Sequence, residues 1–348
     1  MLYHLGAVPW ALPNTITGQF FQGAAKYPEI FAMSWFGFVG VEIFFVISGF
    51  VITLSASSAT PRTFLRSRII RLYPAVWLCA PLSALSLAIT AVQGPHQILE
   101  ELTKSIILYP FPAWIDGVYW TLGIEMVFYL AILCLLFFEV FHRIVMFAYL
   151  IGSTSSAYWI FGSILWPEFI RSHLWDRVIE LSLVGYGIYF SIGILALKIF
   201  RDRISALNGG FCALLIFAAS IEIGFKARYN NIIFQSEEPN LVPLAVFCTV
   251  MAAIVVSAKW RPTERVGQYL RLIGLATYPL YLLHNQFGTL MLKAFIINGM
   301  PRYLALASAM ALMVAISLAI VRWLEPPIKK LIKYAFDRAA PAVATAHP

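Results

Sequence analysis

The chain has 348 residues, of which 60% are hydrophobic and 12% are charged, and its formal net charge is +8. Soluble globular proteins carry about 25% charged residues, so this composition excludes an ordinary soluble enzyme, a disordered chain and a disulfide-stabilised scaffold. A membrane protein with several spanning helices remains. The location of the basic residues, rather than their number, then decides what the positive charge means.

Apolar segments recur along the chain, and most approach the length of about 20 residues that a helix needs to cross a bilayer. They are too long for strands and lack an alternation of apolar and polar residues, so they predict helices. We therefore predict an all-α polytopic bundle of about ten transmembrane helices, with one domain over residues 1–334 and a disordered cytoplasmic tail at 335–348. The segments are residues 1–13, 34–55, 72–99, 119–138, 144–167, 181–197, 204–221, 239–258, 272–292 and 303–321.

Most basic residues fall on one side of this predicted topology, because the connecting segments alternate between the two faces of the membrane. Cytoplasmic loops are enriched in Lys and Arg, so these segments and the C-terminus are predicted to be cytoplasmic in a multi-pass protein of the inner or plasma membrane. The net positive charge then reflects the orientation of the protein in the membrane, and no nucleic-acid partner is predicted. The basic segments are residues 62–71, 143, 198–203, 259–271 and 322–338.

The candidate acid–base groups inside the predicted spans are His4, Glu42, Glu125 and His284. A charge inside a membrane costs about 2.5–3.5 kcal/mol or more, so these groups are functional candidates. With a rise of about 1.5 Å per residue, the first three lie about 10 Å below the outer surface. His284 lies near the midplane, on a helix predicted to continue to residue 297. A histidine with a carboxylate partner is a common acid–base unit at neutral pH.

Structural roles also fit these residues. His4 is also consistent with a histidine at the membrane interface, and the two glutamates with neutral side chains that hydrogen-bond between helices. His284 is consistent with a buried histidine whose hydrogen bonds are satisfied by the core. Trp120 and Tyr281 fit the aromatic belts of membrane proteins.

The loop before the third helix carries a second candidate site. Arg68 and Arg71 are three residues apart, so on a helical turn they share a face. Two guanidinium groups in this arrangement suit a phosphorylated cytoplasmic ligand. They equally suit an anchor that binds lipid headgroups. No pattern of metal ligands accompanies either candidate site, and no metal is predicted.

Four motifs resemble membrane acyltransferase family 3 and occur in the order typical of that family. The resemblance extends from His4 to about residue 327. It implies an integral membrane acyltransferase that moves acyl groups, commonly acetyl from cytoplasmic acetyl-CoA, onto extracytoplasmic glycans, lipids or natural products. The motifs are residues 40–50 (GVEIFFVISGF), 64–74 (FLRSRIIRLYP), 119–130 (YWTLGIEMVFYL) and 278–284 (YPLYLLH).

The resemblance also implies roles for individual residues. His4 matches the catalytic histidine of the family, and Glu42 and Glu125 match two acidic positions that would assist it. Glu42 stands where Asp is more frequent. Arg68 and Arg71 match the cytoplasmic arginine pair that handles the donor.

Three further residues, Trp120, Tyr281 and His284, are expected to shape the substrate pocket. The family also has an Arg before the histidine, at a position that would precede Met1 here, so we expect the first helix to be truncated.

We therefore predict an O-acyltransferase in which His4 is the base that activates an acceptor hydroxyl, with acyl-CoA, a glycan or lipid acceptor and membrane lipids as partners. Two other functions remain open. A proton-coupled transporter would use the buried carboxylates as a relay. A non-catalytic membrane assembly protein would use the arginines to bind lipid.

Overall fold

The computed structural model describes residues 1–201, 205–257 and 261–338, and within these ranges the chain forms helices and connecting segments without any strand. The predicted all-α bundle is confirmed. The helices are α1 (Leu2–Gly6), α2 (Val8–Ala11), α3 (Ile16–Phe21), α4 (Pro28–Phe31), α5 (Val39–Ala56), α6 (Pro61–Thr90), α7 (Pro95–Ile106), α8 (Trp120–Phe137), α9 (Ile144–Leu165), α10 (Pro167–Ser172), α11 (Arg177–Leu181), α12 (Gly187–Arg201), α13 (Ala206–Phe234), α14 (Leu241–Ser257), α15 (Glu264–Leu283), α16 (Gln286–Ile297), α17 (Arg302–Ala319) and α18 (Glu325–Arg338).

Six helical segments of the described residues are long and apolar enough to cross a membrane. Helices α12, α14, α15 and α16 pack among them as shorter or more polar members of the bundle. The protein is therefore a polytopic membrane protein. The six segments are Trp35–Ala56, Pro61–Thr90, Gly117–Phe137, Phe141–Leu165, Ala206–Phe234 and Arg302–Arg338.

Glycines bring α5 and α12 into close contact. A Cβ atom on Gly49 would overlap the carbonyl oxygen of Phe190, and one on Gly193 would overlap that of Val46. Small residues commonly permit such backbone contact between membrane helices. The tight pairing fixes α5, which carries the predicted site residue Glu42.

At one end of the bundle, here named the basic end, the first turns of α6 contact the end of α18, and the residue after α5 contacts the end of α12. Arg66 forms an ion pair with Asp337 at 2.9 Å, and Arg201 donates a hydrogen bond to Ser57 at 3.1 Å. Helix α18 continues past the predicted domain boundary at residue 334. The rest of the predicted tail, residues 339–348, and two stretches of the basic segments, residues 202–204 and 258–260, lie outside the described residues.

The opposite end of the bundle is closed by the N-terminal segment. Arg302, at the start of α17, pairs with Glu29 at 2.7 Å, and its carbonyl accepts a hydrogen bond from Tyr27 at 3.0 Å. Lys293 donates to the carbonyl of Phe20 at 2.5 Å. These contacts hold α3 and α4 against α16 and α17.

The predicted continuous helix over residues 272–297 is wrong, because the chain breaks between α15 and α16. Asp116, from the loop before α8, accepts hydrogen bonds from the Gln286 amide at 3.0 Å and the Asn285 side chain at 2.7 Å. The buried carboxylate therefore supplies the partner that the helix interior would otherwise provide. His284 lies at the break.

Candidate active site

A cavity of about 500 Å³ opens between α1, α5, α6, α8 and α15. Five residues predicted from the sequence line its wall, and they come from four parts of the chain. Glu42 and Trp120 do not line it. The five residues are His4, Arg71, Glu125, Tyr281 and His284.

Helix α1 holds His4 through the residues on either side of it. Tyr3 lies against Gly37, where a Cβ atom would overlap the tyrosine side chain, and Leu5 lies 3.1 Å from the equivalent point at Gly288. Glycine is required at position 37 for this approach, and Gly288 leaves room for Leu5. With its neighbours packed in opposite directions, the His4 ring points towards α15.

The rings of His4 and His284 meet edge to face, with centroids 4.9 Å apart and planes at 76°. The sequence had placed His284 deeper than His4, and the break after α15 accounts for the difference. His284 Nδ1 lies 2.8 Å from the carbonyl oxygen of Tyr281 and 3.1 Å from that of Leu280. Nδ1 must carry the proton to donate to these carbonyls, which leaves Nε2 as an acceptor.

Asp116 and Asn285 border the histidine pair, and the sequence did not identify either of them. Asp116 is fully buried and accepts three hydrogen bonds, from Asn285 Nδ2, the Gln286 amide and the Val118 amide. Burial raises the pKa of the Asp116 carboxyl above its usual range, and these three donors oppose that shift. Neither residue belongs to a local motif that could have indicated its role.

Glu125 is held by two hydroxyl groups. Its Oε1 accepts hydrogen bonds from Tyr129 at 2.8 Å and from Ser48 at 3.2 Å. Glu125 and Tyr129 also line a second cavity of about 820 Å³, and both cavities share Arg71. The two spaces therefore adjoin, with Glu125 and Arg71 at their boundary.

The second cavity extends towards the basic end and is lined by four cationic side chains. Arg68 and Arg71 were predicted from the sequence. Arg271 on α15 and Lys329 on α18 join them, and Lys329 is paired with Glu325. The four cations come from three helices that are distant in sequence.

Local contacts orient the two predicted arginines. Arg68 donates to Ser55 at 2.8 Å and lies 5.5 Å from the centre of the Tyr129 ring. Arg71 lies 5.4 Å from the centre of the Tyr278 ring. Aromatic faces attract cations, so both guanidinium groups are held close to the cavity wall.

Glu42 has a different partner from the one expected. Its Oε1 lies 2.7 Å from Lys226 Nζ, and Lys226 also pairs with Glu222. The predicted span 204–221 is too short and leaves Lys226 in the loop after it. In the structure α13 continues to Phe234, and the Lys226 side chain is only 4% exposed. Two carboxylates neutralise this buried lysine. The spacing of Glu222 and Lys226, four residues apart on one helix face, is the signal that could have indicated the pair.

Aromatic residues surround this charged cluster. Tyr189 donates a hydrogen bond to Glu222, and the Tyr186 ring centre lies 4.4 Å from Lys226 Nζ. Trp120 packs against Tyr186 and Trp175, at ring-centroid distances of 5.7 and 5.9 Å. Trp120 thus belongs to the surroundings of the Glu42–Lys226 pair.

Tyr281 forms part of the cavity wall with its ring. Its hydroxyl donates to the carbonyl of Val118 at 2.7 Å and lies 2.8 Å from Thr121 Oγ1. The ring stacks on Phe44, with centroids 6.1 Å apart. Because the hydroxyl is engaged by α8 and the segment before it, Tyr281 offers the cavity an apolar face.

The described residues contain no group of three or more His, Cys, Asp or Glu side chains placed to hold a metal ion.

The chain has detectable relatives. Residues 8–322 match the family described as "Acyltransferase domain". This match includes every predicted site residue except His4, which precedes it. The chain is also 26% identical over 303 residues to "Exopolysaccharide production protein ExoZ" of Rhizobium meliloti (strain 1021), covering 84% of this chain and 89% of that protein. No solved structure matches the chain.

Proposed function

This chain belongs to the acyltransferase family whose domain it matches over residues 8–322, and from that premise we propose that it is an O-acyltransferase with His4 as its base. The donor is cytoplasmic acyl-CoA, with acetyl as the acyl group. The acceptor is a hydroxyl of an extracytoplasmic or membrane-associated glycan, lipid or natural product.

The observation that carries the proposal is the pair of adjoining cavities. One contains the His4–His284 contact, the other is lined by four cations, and Glu125 and Arg71 border both. An acyl-CoA carries its phosphates far from its thioester. Phosphates bound by the cations would leave the thioester extending towards the histidines.

The chemistry follows from this arrangement. His4 accepts the proton of the acceptor hydroxyl while the hydroxyl oxygen attacks the thioester carbonyl. A carbon–oxygen bond forms, the carbon–sulfur bond breaks, and the leaving thiolate takes up the proton to give free CoA. Tyr281 and Phe44 contribute the apolar wall that excludes water.

Glu42 and Glu125 differ in how they would assist. Glu125 borders the path between the cavities, where its charge is close to Arg71. Glu42 is engaged by Lys226, so its contribution is to hold α5 against α13. We therefore assign the direct electrostatic role to Glu125.

The ExoZ similarity supports a polysaccharide as the acceptor class, since that relative is named for exopolysaccharide production. The distribution of basic residues supports a position in the inner or plasma membrane with the basic end and the C-terminus in the cytoplasm. The donor would then reach its cavity directly from the cytoplasm.

The test uses purified protein in vesicles made from the lipids of the host strain, supplied with acetyl-CoA and surface glycans from a deletion strain. Wild type should release thiol and acylate the glycan fraction, and His4→Ala should not. Mass spectrometry of surface glycans and lipids from deleted and complemented strains should differ by one acyl group.

Other outcomes identify the alternative functions. Full activity of His4→Ala would contradict the role of His4. Proton-driven uptake without thiol release would indicate a transporter, and unchanged glycans after gene deletion would favour a non-catalytic assembly protein.

A further inference from the structure

The break between α15 and α16 is anchored by the Asp116 carboxylate. This side chain is fully buried, and its three hydrogen-bond donors come from Asn285, Gln286 and Val118. The contacts join the loop before α8 to the point where α15 ends. Asp116 thereby fixes the position of Asn285.

Asp116 also fixes which way the Asn285 amide faces. An ionised carboxylate can only accept hydrogen bonds, and Asn285 Nδ2 donates to it at 2.7 Å. The amide oxygen must therefore point away from Asp116. That oxygen, Oδ1, is buried and has no well-formed hydrogen bond among the described residues.

His4 presents the complementary group. Its Nδ1 is likewise buried without a well-formed partner among the described residues, and the Asn285 side chain lies within hydrogen-bonding reach of the ring. Asn285 directly follows His284, whose ring contacts the His4 ring, so the orphaned acceptor and the orphaned ring nitrogen lie on neighbouring side chains. A buried polar atom left unpaired costs about 1–3 kcal/mol, so pairing them is favoured.

We propose that Asp116 and Asn285 are positioning residues for His4: Asp116 orients the Asn285 amide, and Asn285 Oδ1 accepts the proton of His4 Nδ1. This pairing sets the tautomer in which Nε2 of His4 is unprotonated and is the basic atom. The inference rests on the proposed function, because a set tautomer matters only where His4 acts as a base.

In this arrangement Asp116, Asn285 and His4 have different roles, which substitutions can separate. Removing the charge from Asp116 allows the Asn285 amide to rotate, which would place Nδ2 against His4 Nδ1. Two donors would then face each other, and the opposite tautomer would be favoured. The base would be present but wrongly protonated.

The central variant is Asp116→Asn, with Asp176→Asn as its matched control. Asp176 also caps a short helix in a loop, accepting from the Val178 and Ile179 amides, and it lies outside the proposed site. Asparagine caps helices as well as aspartate does. Asp176→Asn should keep the thermal stability of the wild type, whereas Asp116→Asn sets a buried amide nitrogen against a donor and should unfold at a lower temperature. Activities are therefore compared well below both unfolding midpoints.

Thiol release from acetyl-CoA in the vesicles described above is the measurement. Asp116→Asn should lower kcat about 100-fold, because misplaced reacting groups cost about this much. KM for acetyl-CoA should change by less than about twofold, because its phosphates bind elsewhere. Asp176→Asn should behave as wild type.

Exchanging the side chains of residues 116 and 285 distinguishes a positioning role of Asp116 from a purely structural one. In Asp116→Asn with Asn285→Asp, the new carboxylate accepts from both the residue at 116 and His4 Nδ1. The rate should recover to within about tenfold of wild type, and the acid limb of the pH–rate profile should move up by about one unit, since a carboxylate beside the ring favours its charged form. Other titratable or charged groups near His4 are unchanged in the swap; they are the Met1 amino group, Tyr3, Arg71, Glu125, Tyr129, Tyr278, Tyr281 and His284.

The outcomes are distinguishable. A wild type that releases no thiol would contradict the proposed function. An active wild type with an equally active Asp116→Asn variant, or a recovered swap with an unshifted pH profile, would overturn the positioning role alone. If the swap does not assemble, the comparison of Asp116→Asn with Asp176→Asn decides the question.

Discussion

Lys226 Nζ lies 2.7 Å from Glu42 Oε1, although the two residues are 184 positions apart in the sequence. Glu222 pairs with the same ammonium group. The three side chains are buried between α5, α12 and α13, where an unpaired charge would be costly. Glu42 is thus paired with Lys226 and does not line the cavity that contains His4.

Removing the lysine should destabilise the bundle strongly. Lys226→Met leaves two buried carboxylates without their cation, which should cost about 3–5 kcal/mol. The measurement is the apparent midpoint of thermal unfolding in detergent. Lys226→Met combined with Glu42→Gln keeps the net charge of the wild-type cluster and should recover most of the loss. A single variant as stable as wild type would disprove the pairing.

His284 should contribute to substrate contact without being the base. In His284→Asn, the amide nitrogen can replace ring Nδ1 as donor to the Tyr281 carbonyl, while the acceptor Nε2 is lost. Loss of one hydrogen bond to substrate, about 1.4 kcal/mol, should lower kcat/KM about tenfold. His4→Asn should instead abolish thiol release. Equal effects of the two substitutions would argue against this division of roles.

The cations of the second cavity should recognise phosphates. Arg271 has no ion-pair partner among the described residues, so Arg271→Gln removes a cation without exposing a buried carboxylate. KM should rise about tenfold for acetyl-CoA and stay unchanged for acetyl-pantetheine, which lacks phosphates. Lys293→Gln, at the opposite end of the bundle, is the control. A similar rise in KM with both donors would show that Arg271 does not bind phosphate.

Close helix packing should make one glycine irreplaceable and another tolerant. In Gly193→Ala the new methyl overlaps the Val46 carbonyl, and such overpacking costs about 1–3 kcal/mol. Gly224 on α13 has open space around its Cβ position, so Gly224→Ala should be neutral or slightly stabilising because alanine favours helix. Thermal midpoints in detergent compare the two, and a Gly193→Ala variant at the wild-type midpoint would refute the close contact.

The sequence predicted much of the candidate site because its residues occur in short motifs. His4, Glu125, Arg71, Tyr281 and His284 were named from the sequence, and all five line one cavity. A short motif identifies functional residues that are close together in the sequence, on one helix or at its end. It does not specify which other motif it will face.

The partners of the buried polar groups were not predictable from local patterns. The seventh predicted span ends at residue 221, where the uncharged run ends, so Glu222 and Lys226 fall in the predicted loop that follows it. Asp116 lies in a connecting segment and Asn285 follows a helix, where polar residues are ordinary. Their roles appear only when the loop before α8 meets the end of α15.

By itself, the sequence determined that this is an all-α membrane protein. The length and hydropathy of each segment are local properties, and they decide that the segment forms a helix and lies in the bilayer. Only the tertiary structure decided that Glu42 pairs with Lys226, that His284 meets His4 and that Asp116 holds Asn285. In an apolar surrounding each polar group must be paired, and the available partner depends on which distant helices pack together.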